Sequence, residues 1–259
     1  MHERVETGYG GLLWLARRET LRVWKLWTQT VLAPVVSSTL FIVVFGLSLG
    51  GRIRQIEGFD YQVFIVPGLI AMTIVQQAYN NNASSIYQAR SDRYAHDVLS
   101  APMHPWQVNL GWNLGGIARG FVIGAGILAL AIPLTGVPVE HPHVLILASL
   151  LALIGFGALG MIVGIYAEQW DHTTFISNIV IVPLAFVGGV FYSVSRLESP
   201  WHELSHFNPL FYLVQAMRFG MLGQSDVSVW LSLGVTAAVA IPAYLFSHYL
   251  FTSGRRLKA

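Results

Sequence analysis

Six apolar stretches dominate this 259-residue sequence, and each is long enough to cross a bilayer as a helix. They lie at about 29–49, 61–86, 107–134, 144–166, 173–194 and 228–251. The hydrocarbon core of a membrane takes roughly 20 apolar residues in helical form. One soluble core has no room to hide six such segments, so lipid is the expected solvent. Composition agrees: 54% of residues are hydrophobic and 11% are charged, where soluble domains carry about 25%. The expected fold is an all-α polytopic membrane protein, a single transmembrane domain over residues 1–259. A net charge of +2 gives no general basic field, so the expected partners include membrane lipids and no nucleic acid. The absence of cysteine excludes thiol chemistry, disulfides and cysteine-bound zinc. No cleavable signal peptide is expected, because a charged, Trp-rich segment precedes the first apolar stretch.

That segment, residues 9–27, sets Trp14, Trp24 and Trp27 among Arg17, Arg18, Arg22 and Lys25. Leu12, Leu13, Leu15, Leu21 and Leu26 supply an apolar face. The pattern predicts an amphipathic helix in the membrane interface, its bases toward headgroups. Lys and Arg then sort by side. Arg4, Arg17, Arg18, Arg22 and Lys25, the loop residues Arg90 and Arg93, and the tail residues Arg255, Arg256 and Lys258 share one side of a six-span topology. Arg52, Arg54, Arg196 and Arg218 fall on the other. The positive-inside rule places both termini in the cytoplasm.

Two connectors are more than links. Residues 87–106 are mixed in charge, contain short apolar anchors and end at two prolines, Pro102 and Pro105, which predicts a short cytoplasmic helix and a turn. Residues 195–226 hold apolar pieces too short to span, such as Phe211 to Met217, between Pro200, Pro209 and several glycines. They predict a re-entrant or interfacial segment on the outer side. Small residues recur at four-residue spacing at Gly46 and Gly50, at Gly116, Gly120 and Gly124, and at Gly160 and Gly164, which permits close helix crossings in lipid.

The sharpest chemical motif is His202-Glu203-Leu204-Ser205-His206, a literal H-E-x-x-H. Two histidines one helical turn apart bind zinc and the glutamate activates water in metalloproteases. Against an intramembrane zinc protease stand Pro200 and Pro209, which leave room for a short helix only, and the lack of an evident third ligand. Arg119 interrupts the third apolar stretch. Either it snorkels to the cytoplasmic surface and pairs with a loop carboxylate, or it lines a cavity and receives an anionic group. Gln76, Gln77, Asn80, Asn81 and Asn82 form a polar run in the second stretch, as interhelical hydrogen-bond glue or as the lining of a polar path. There is no G-x-x-x-x-G-K-[ST] phosphate cradle and no G-x-S-x-G nucleophile. The spans are nearly free of acids, so ion-coupled transport lacks its usual relay.

Four segments together carry a resemblance. They are Phe64-Ile65-Val66-Pro67-Gly68-Leu69, Asp97-Val98-Leu99-Ser100-Ala101-Pro102, Gly188-Gly189-Val190-Phe191-Tyr192-Ser193 and His206-Phe207-Asn208-Pro209-Leu210-Phe211-Tyr212. The last continues to Arg218, so that Pro209, Tyr212 and Arg218 fit a family signature. The chain resembles permease subunits of ABC-2 type (type V) exporters over nearly its whole length. It is similar to bacterial multidrug- and lipooligosaccharide-type permeases, including those that export nodulation factors. The resemblance implies a bacterial inner-membrane protein with an interfacial connecting helix at 9–27, a coupling helix at 87–104 and re-entrant helices at 195–226. It implies a homodimer working with two copies of a separate ATPase subunit, which binds ATP and Mg; this chain has no cofactor or catalytic residue of its own. Arg90, Asp92, Arg93, Tyr94 and Asp97 become the expected ATPase-docking residues. The translocation path is expected along spans 1, 2 and 5, with Phe41, Phe45, Gln76, Asn80, Arg119, Phe186 and Phe191 as lining. Cargo is expected to be an amphipathic, lipid-linked or glycan-type molecule or a drug.

Overall fold

The structure, a computed structural model, describes residues 8–50 and 55–254. Arg4, Arg52, Arg54, Arg255, Arg256 and Lys258, which entered the charge sorting, lie outside the described residues. Helix α1 (Gly10–Lys25) leads into the first span, which opens with a π turn (Thr28–Leu32) and continues as α2 (Ala33–Gly50). A two-stranded hairpin, β1 (Gln55–Ile56) and β2 (Phe59–Asp60), turns through Glu57 and Gly58, both at positive φ. Span 2 is α3 (Tyr61–Ser91), followed by the short α4 (Ala95–Ser100); spans 3 and 4 are α5 (Pro105–Thr135) and α6 (Pro142–Tyr166). Span 5 is α7 (Trp170–Ile176), a second π turn (Ser177–Ile181) and α8 (Val182–Val187). After α9 (Trp201–His206) and α10 (Pro209–Leu222), span 6 is α11 (Val229–Ser253).

All six expected spans are present as helices long and apolar enough to cross a membrane. Local chemistry marks their ends. Pro105 and Pro142 start α5 and α6, where the missing proline N–H costs nothing. The His104 backbone N–H donates to Gln107 Oε1 at 2.9 Å, satisfying one free donor at the start of α5. Gly136, Gly223 and Gly254 end α5, α10 and α11 in the left-handed conformation. Two boundaries differ from the sequence expectation. Span 2 runs on to Ser91, because its polar last turns find partners in α1 and α6. Span 5 stops at Val187 rather than near 194, because Gly188 and Gly189 turn the chain, Gly189 at φ 82°.

Span 2, the better part of α10 and half of span 4 form the interior. Gly160 and Gly164 let α6 lie directly on α3. A Cβ at Gly160 would run into the Tyr79 carbonyl, and one at Gly164 would sit 2.7 Å from the Ala83 carbonyl. Helix α10 has 14 residues, about 21 Å, too short to cross. It is buried along most of its length and packs on α3, α6 and α11. Spans 1, 3 and 5 are the least buried, at 17%, 22% and 22% against 67% in span 2; span 3 still packs on α1 and α3 through Gly111, Gly115 and Gly124, whereas spans 1 and 5 are peripheral.

Candidate functional site

Three regions carry the residues singled out by the sequence: the end of the molecule bearing α1 and α4, a cavity between the spans, and the opposite end around α9 and α10. At the first, α3 ends at Ser91 and the chain reverses through Asp92, Arg93 and Tyr94 into α4. Arg93 adopts φ 61°, an uncommon conformation for a side chain of its kind. Ala95 and Val98 bury one face of α4, while Asp92, Arg93, His96 and Asp97 are exposed. Tyr94 is half-buried, with the Arg18 guanidinium 4.3 Å from its ring centroid, so α4 is tied to α1. Burial pushes the Tyr94 phenol above its ordinary range, with Arg18 acting in the opposite sense, and the ring stays neutral beneath the cation. Arg90 departs from its expected docking role. Its guanidinium turns inward and donates to the carbonyls of Gly164 and Ala167, at 3.1 and 3.0 Å, capping the end of α6.

Helix α1 is also more integrated than an interfacial helix need be. Trp14, Leu21, Trp24 and Trp27 are exposed, as expected. Arg22, expected among headgroups, faces the protein instead: it donates to the Asn81 carbonyl at 2.9 Å and to Gln88 Oε1 at 3.3 Å. The reason is Glu19, which is fully buried and was not anticipated from the sequence. Its carboxylate accepts from Ser85 Oγ at 2.7 Å and meets Arg18 and Arg22 at 3.4 and 3.5 Å. Leu15 and Glu19, one turn apart, seat against Gly111 and Gly115 of α5, also one turn apart. Only matching these two spacings across separate helices could have revealed the contact. The polar line continues inward: Asn81 Nδ2 donates to Asn82 Oδ1, Asn82 Nδ2 to Asn113 Oδ1, and Asn113 Nδ2 to the Ile154 carbonyl. One line of hydrogen bonds thus joins α1 to spans 2, 3 and 4.

The polar run of span 2 is therefore divided. Asn81 and Asn82 are the glue, while Gln76, Gln77 and Asn80 face the other way into a cavity of about 390 Å³. Six of the seven residues expected along a path line this cavity: Phe41, Gln76, Asn80, Arg119, Phe186 and Phe191. The seventh, Phe45, stacks against Phe41 and Phe191 with ring centroids 5.7 and 5.3 Å apart. Phe186 stacks on Phe191 at 5.1 Å, so four aromatic rings from spans 1 and 5 and the segment after span 5 form one cluster. Arg119 does not pair with a loop carboxylate. Its Nε donates to the Thr30 carbonyl at 3.2 Å, within the π turn of span 1, and a terminal nitrogen donates to Gln77 Oε1 at 2.5 Å. It sits too deep for the surface, roughly 21 Å along α5 from Pro105.

At the opposite end three of the four family-like segments converge. Gly68 of α3 lies against Val190, where a Cβ would come within 2.8 Å of the Val190 backbone. Asn208 caps α10 through the Leu210 N–H at 3.0 Å and donates its own amide to the Leu184 carbonyl, joining α10 to span 5. Pro209 occupies the first turn of α10 and Tyr212 donates to the His206 carbonyl at 2.9 Å. Arg218, counted from sequence as an outer-side charge, is buried. Its guanidinium lies 4.0 Å from the Phe64 ring centroid and donates to the Gly189 carbonyl at 2.8 Å. The signature residues thus clasp α10 to α3 and to the turn after span 5.

The H-E-x-x-H residues fall on α9, a helix of six residues. His206 Nδ1 engages the His202 carbonyl, its ring packs at a tilt against Phe211 with centroids 5.1 Å apart, and Glu203 is exposed. Among the described residues no group of three or more His, Asp or Glu is placed to hold a metal ion.

Six spans, a short exposed helix braced against the span bundle and a polar cavity facing the peripheral spans define a class, the membrane domain of a transporter. Residues 11–222 match the family described as ABC-2 type transporter, and the chain belongs to that family. It is 36% identical over 255 residues to the inner membrane transport permease YadH of Escherichia coli strain K12, covering 96% of this chain and 99% of that protein. It is 26% identical over 246 residues to Nodulation protein J of Rhizobium leguminosarum bv. viciae, covering 92% and 93%.

Proposed function

We propose that this chain is the permease subunit of an ATP-driven exporter of the inner membrane, with its α1–α4 end and both termini in the cytoplasm. A separate ATPase subunit binds ATP and Mg and performs the hydrolysis; two copies of this chain pair along spans 1 and 5. The observation that carries the reading is mechanical. The exposed face of α4 and the turn before it (Asp92, Arg93, Asp97) is linked through buried contacts to the wall of the cavity. A push on α4 reaches α3 directly through residues 92–94. It reaches α1 through Arg18 and Tyr94, and α1 is held to α3 by Glu19 with Ser85 and by Arg22 with Asn81. These helices therefore move together against spans 1 and 5.

Spans 1 and 5 are suited to yield. Each carries a π turn, where the regular hydrogen-bond ladder is interrupted, followed by Pro34 or Pro183. Cargo enters the cavity beside Gln76, Asn80 and Arg119 and leaves past the Phe41, Phe45, Phe186 and Phe191 cluster, which closes the path at rest. The name of one relative, an inner membrane transport permease, supports this class.

The test is reconstitution. The purified chain alone hydrolyses no ATP; with its cognate ATPase subunit, turnover rises above that of the ATPase alone. Reversing one charge in the turn before α4 and one on it, Arg93→Glu with Asp97→Arg, abolishes the stimulation while the melting temperature of the permease is unchanged, since both side chains are exposed. Full stimulation by the double variant overturns the docking role of α4.

A further inference from the structure

The cavity between the spans is built for one sign of charge. Arg119 shares it with the amides of Gln29, Gln76, Gln77 and Asn80, and neither Asp nor Glu lines it. The two groups that Arg119 engages, the Thr30 carbonyl and Gln77 Oε1, are both neutral. A guanidinium has five N–H donors, so these bonds leave donors over and the charge uncompensated. Across the six spans as described, the one carboxylate is Asp171, in the first turn of span 5. Glu19, nearer the α1 end, is already engaged by Arg18, Arg22 and Ser85. A cation held at membrane depth without a counter-ion is costly and marks a place where one arrives.

A second observation points to a ligand in the same place. Asn80 Oδ1 is buried, has no hydrogen-bond partner and belongs to the cavity lining. The oxygen and nitrogen of such an amide exchange by a flip, so Asn80 offers a donor or an acceptor to an arriving group. Away from the polar groups the lining turns apolar, with Phe41, Leu69, Met72, Phe186 and Phe191. At about 390 Å³ the space holds a headgroup and part of a chain.

We infer that this cavity binds an amphipathic anion. A phosphate or carboxylate headgroup sits against Arg119, with the amides around it and its apolar tail along the phenylalanines. Planar, bidentate donation to such oxygens is what a guanidinium does better than an ammonium. The inference rests on the permease reading and narrows its cargo class. Arg119 also braces the π turn through Thr30, and the experiment separates that role from binding.

The test measures equilibrium binding of labelled dodecyl phosphate, dodecyl glucoside and inorganic phosphate to the full chain in phosphatidylcholine nanodiscs. Dodecyl phosphate is expected to bind at least about tenfold more tightly than the glucoside, and inorganic phosphate far more weakly than either. Arg119→Lys keeps part of the preference; Arg119→Gln removes it. Gln77→Glu also removes it, by placing a carboxylate where Arg119 already donates while leaving the brace on Thr30 intact. Equal binding of phosphate and glucoside by the wild type, or an undiminished preference in Gln77→Glu, overturns the inference. Should both charge variants fail to assemble, the wild-type comparison decides alone. ATPase stimulation is measured on the same wild-type protein. Stimulation without anion preference sinks this site and spares the permease reading; preference without stimulation does the reverse. Phosphatidylglycerol in the nanodiscs identifies the source of the anion. ATP-driven movement of a fluorescent alkyl phosphate marks a cargo, and displacement by phosphatidylglycerol without movement marks a resident lipid headgroup; both outcomes keep the anion site.

Discussion

Spans 1 and 2 are neighbours in sequence, yet the burial of their side chains inverts the rule for soluble proteins. Span 2 is 67% buried and hides Thr73, Asn81, Asn82 and Ser85. Span 1 is 17% buried and exposes Val36, Leu40, Phe41 and Val44. In lipid an exposed apolar side chain carries no penalty, whereas a polar one must find a partner inside the protein. The polar span therefore becomes the centre, and the apolar span is left free at the edge. Span 5 behaves like span 1. The difference separates a scaffold, held by glycine crossings and amide hydrogen bonds, from a pair of peripheral spans with interrupted helices and aromatic contacts.

This division predicts that stability losses fall from the scaffold outward. The largest is expected for Gly160→Leu, which forces side-chain atoms into the Tyr79 backbone and costs about 3 kcal/mol. The same change at Gly234 of span 6, which has open space around it, is expected to be tolerated. Thermal unfolding in detergent compares the two, and equal losses would erase the scaffold as a distinct region. Next comes Arg218→Ala, which removes the cation from Phe64 and leaves the Gly189 carbonyl without its donor. It should cost about 2–3 kcal/mol and loosen the segment after span 5, seen as faster proteolysis between residues 189 and 200. The smallest loss is expected for Phe191→Ala, about 1–2 kcal/mol, because this ring is only partly buried. Its effect on passage should be the opposite: the Phe45 and Phe186 stacks are gone, and proteoliposomes should leak a fluorescent amphiphile without ATP. A tight Phe191→Ala protein would show that the aromatic cluster is packing and not a closure.

Much of the fold was legible because membrane segments announce themselves by length. The six spans, the interfacial helix, the short helix after span 2 and the short helices before span 6 follow from runs of apolar residues, prolines and glycines. The lining of the cavity was legible in outline, since polar and aromatic residues stood out against an apolar background. What was not legible depended on pairs from distant parts of the chain. Glu19 reads as one more charge on a surface helix until Gly111 and Gly115 bring α5 against it. Arg90 reads as a docking charge until the end of α6 presents the Gly164 and Ala167 carbonyls. Arg218 reads as an outer-side charge until Phe64 and Gly189 enclose it.

The sequence by itself determined that this chain lives in lipid and how many times it crosses. Those properties are sums over local stretches, and hydrophobic length decides them without reference to neighbours. The tertiary structure alone decided which face of each helix meets protein. It thereby divided the five amide residues between Gln76 and Asn82 of span 2 between glue and cavity, and gave Arg119 neutral partners in place of an acid. The physical reason is that an uncharged bilayer leaves polar groups one kind of solution, a partner on another helix, and the sequence does not state which helix that is.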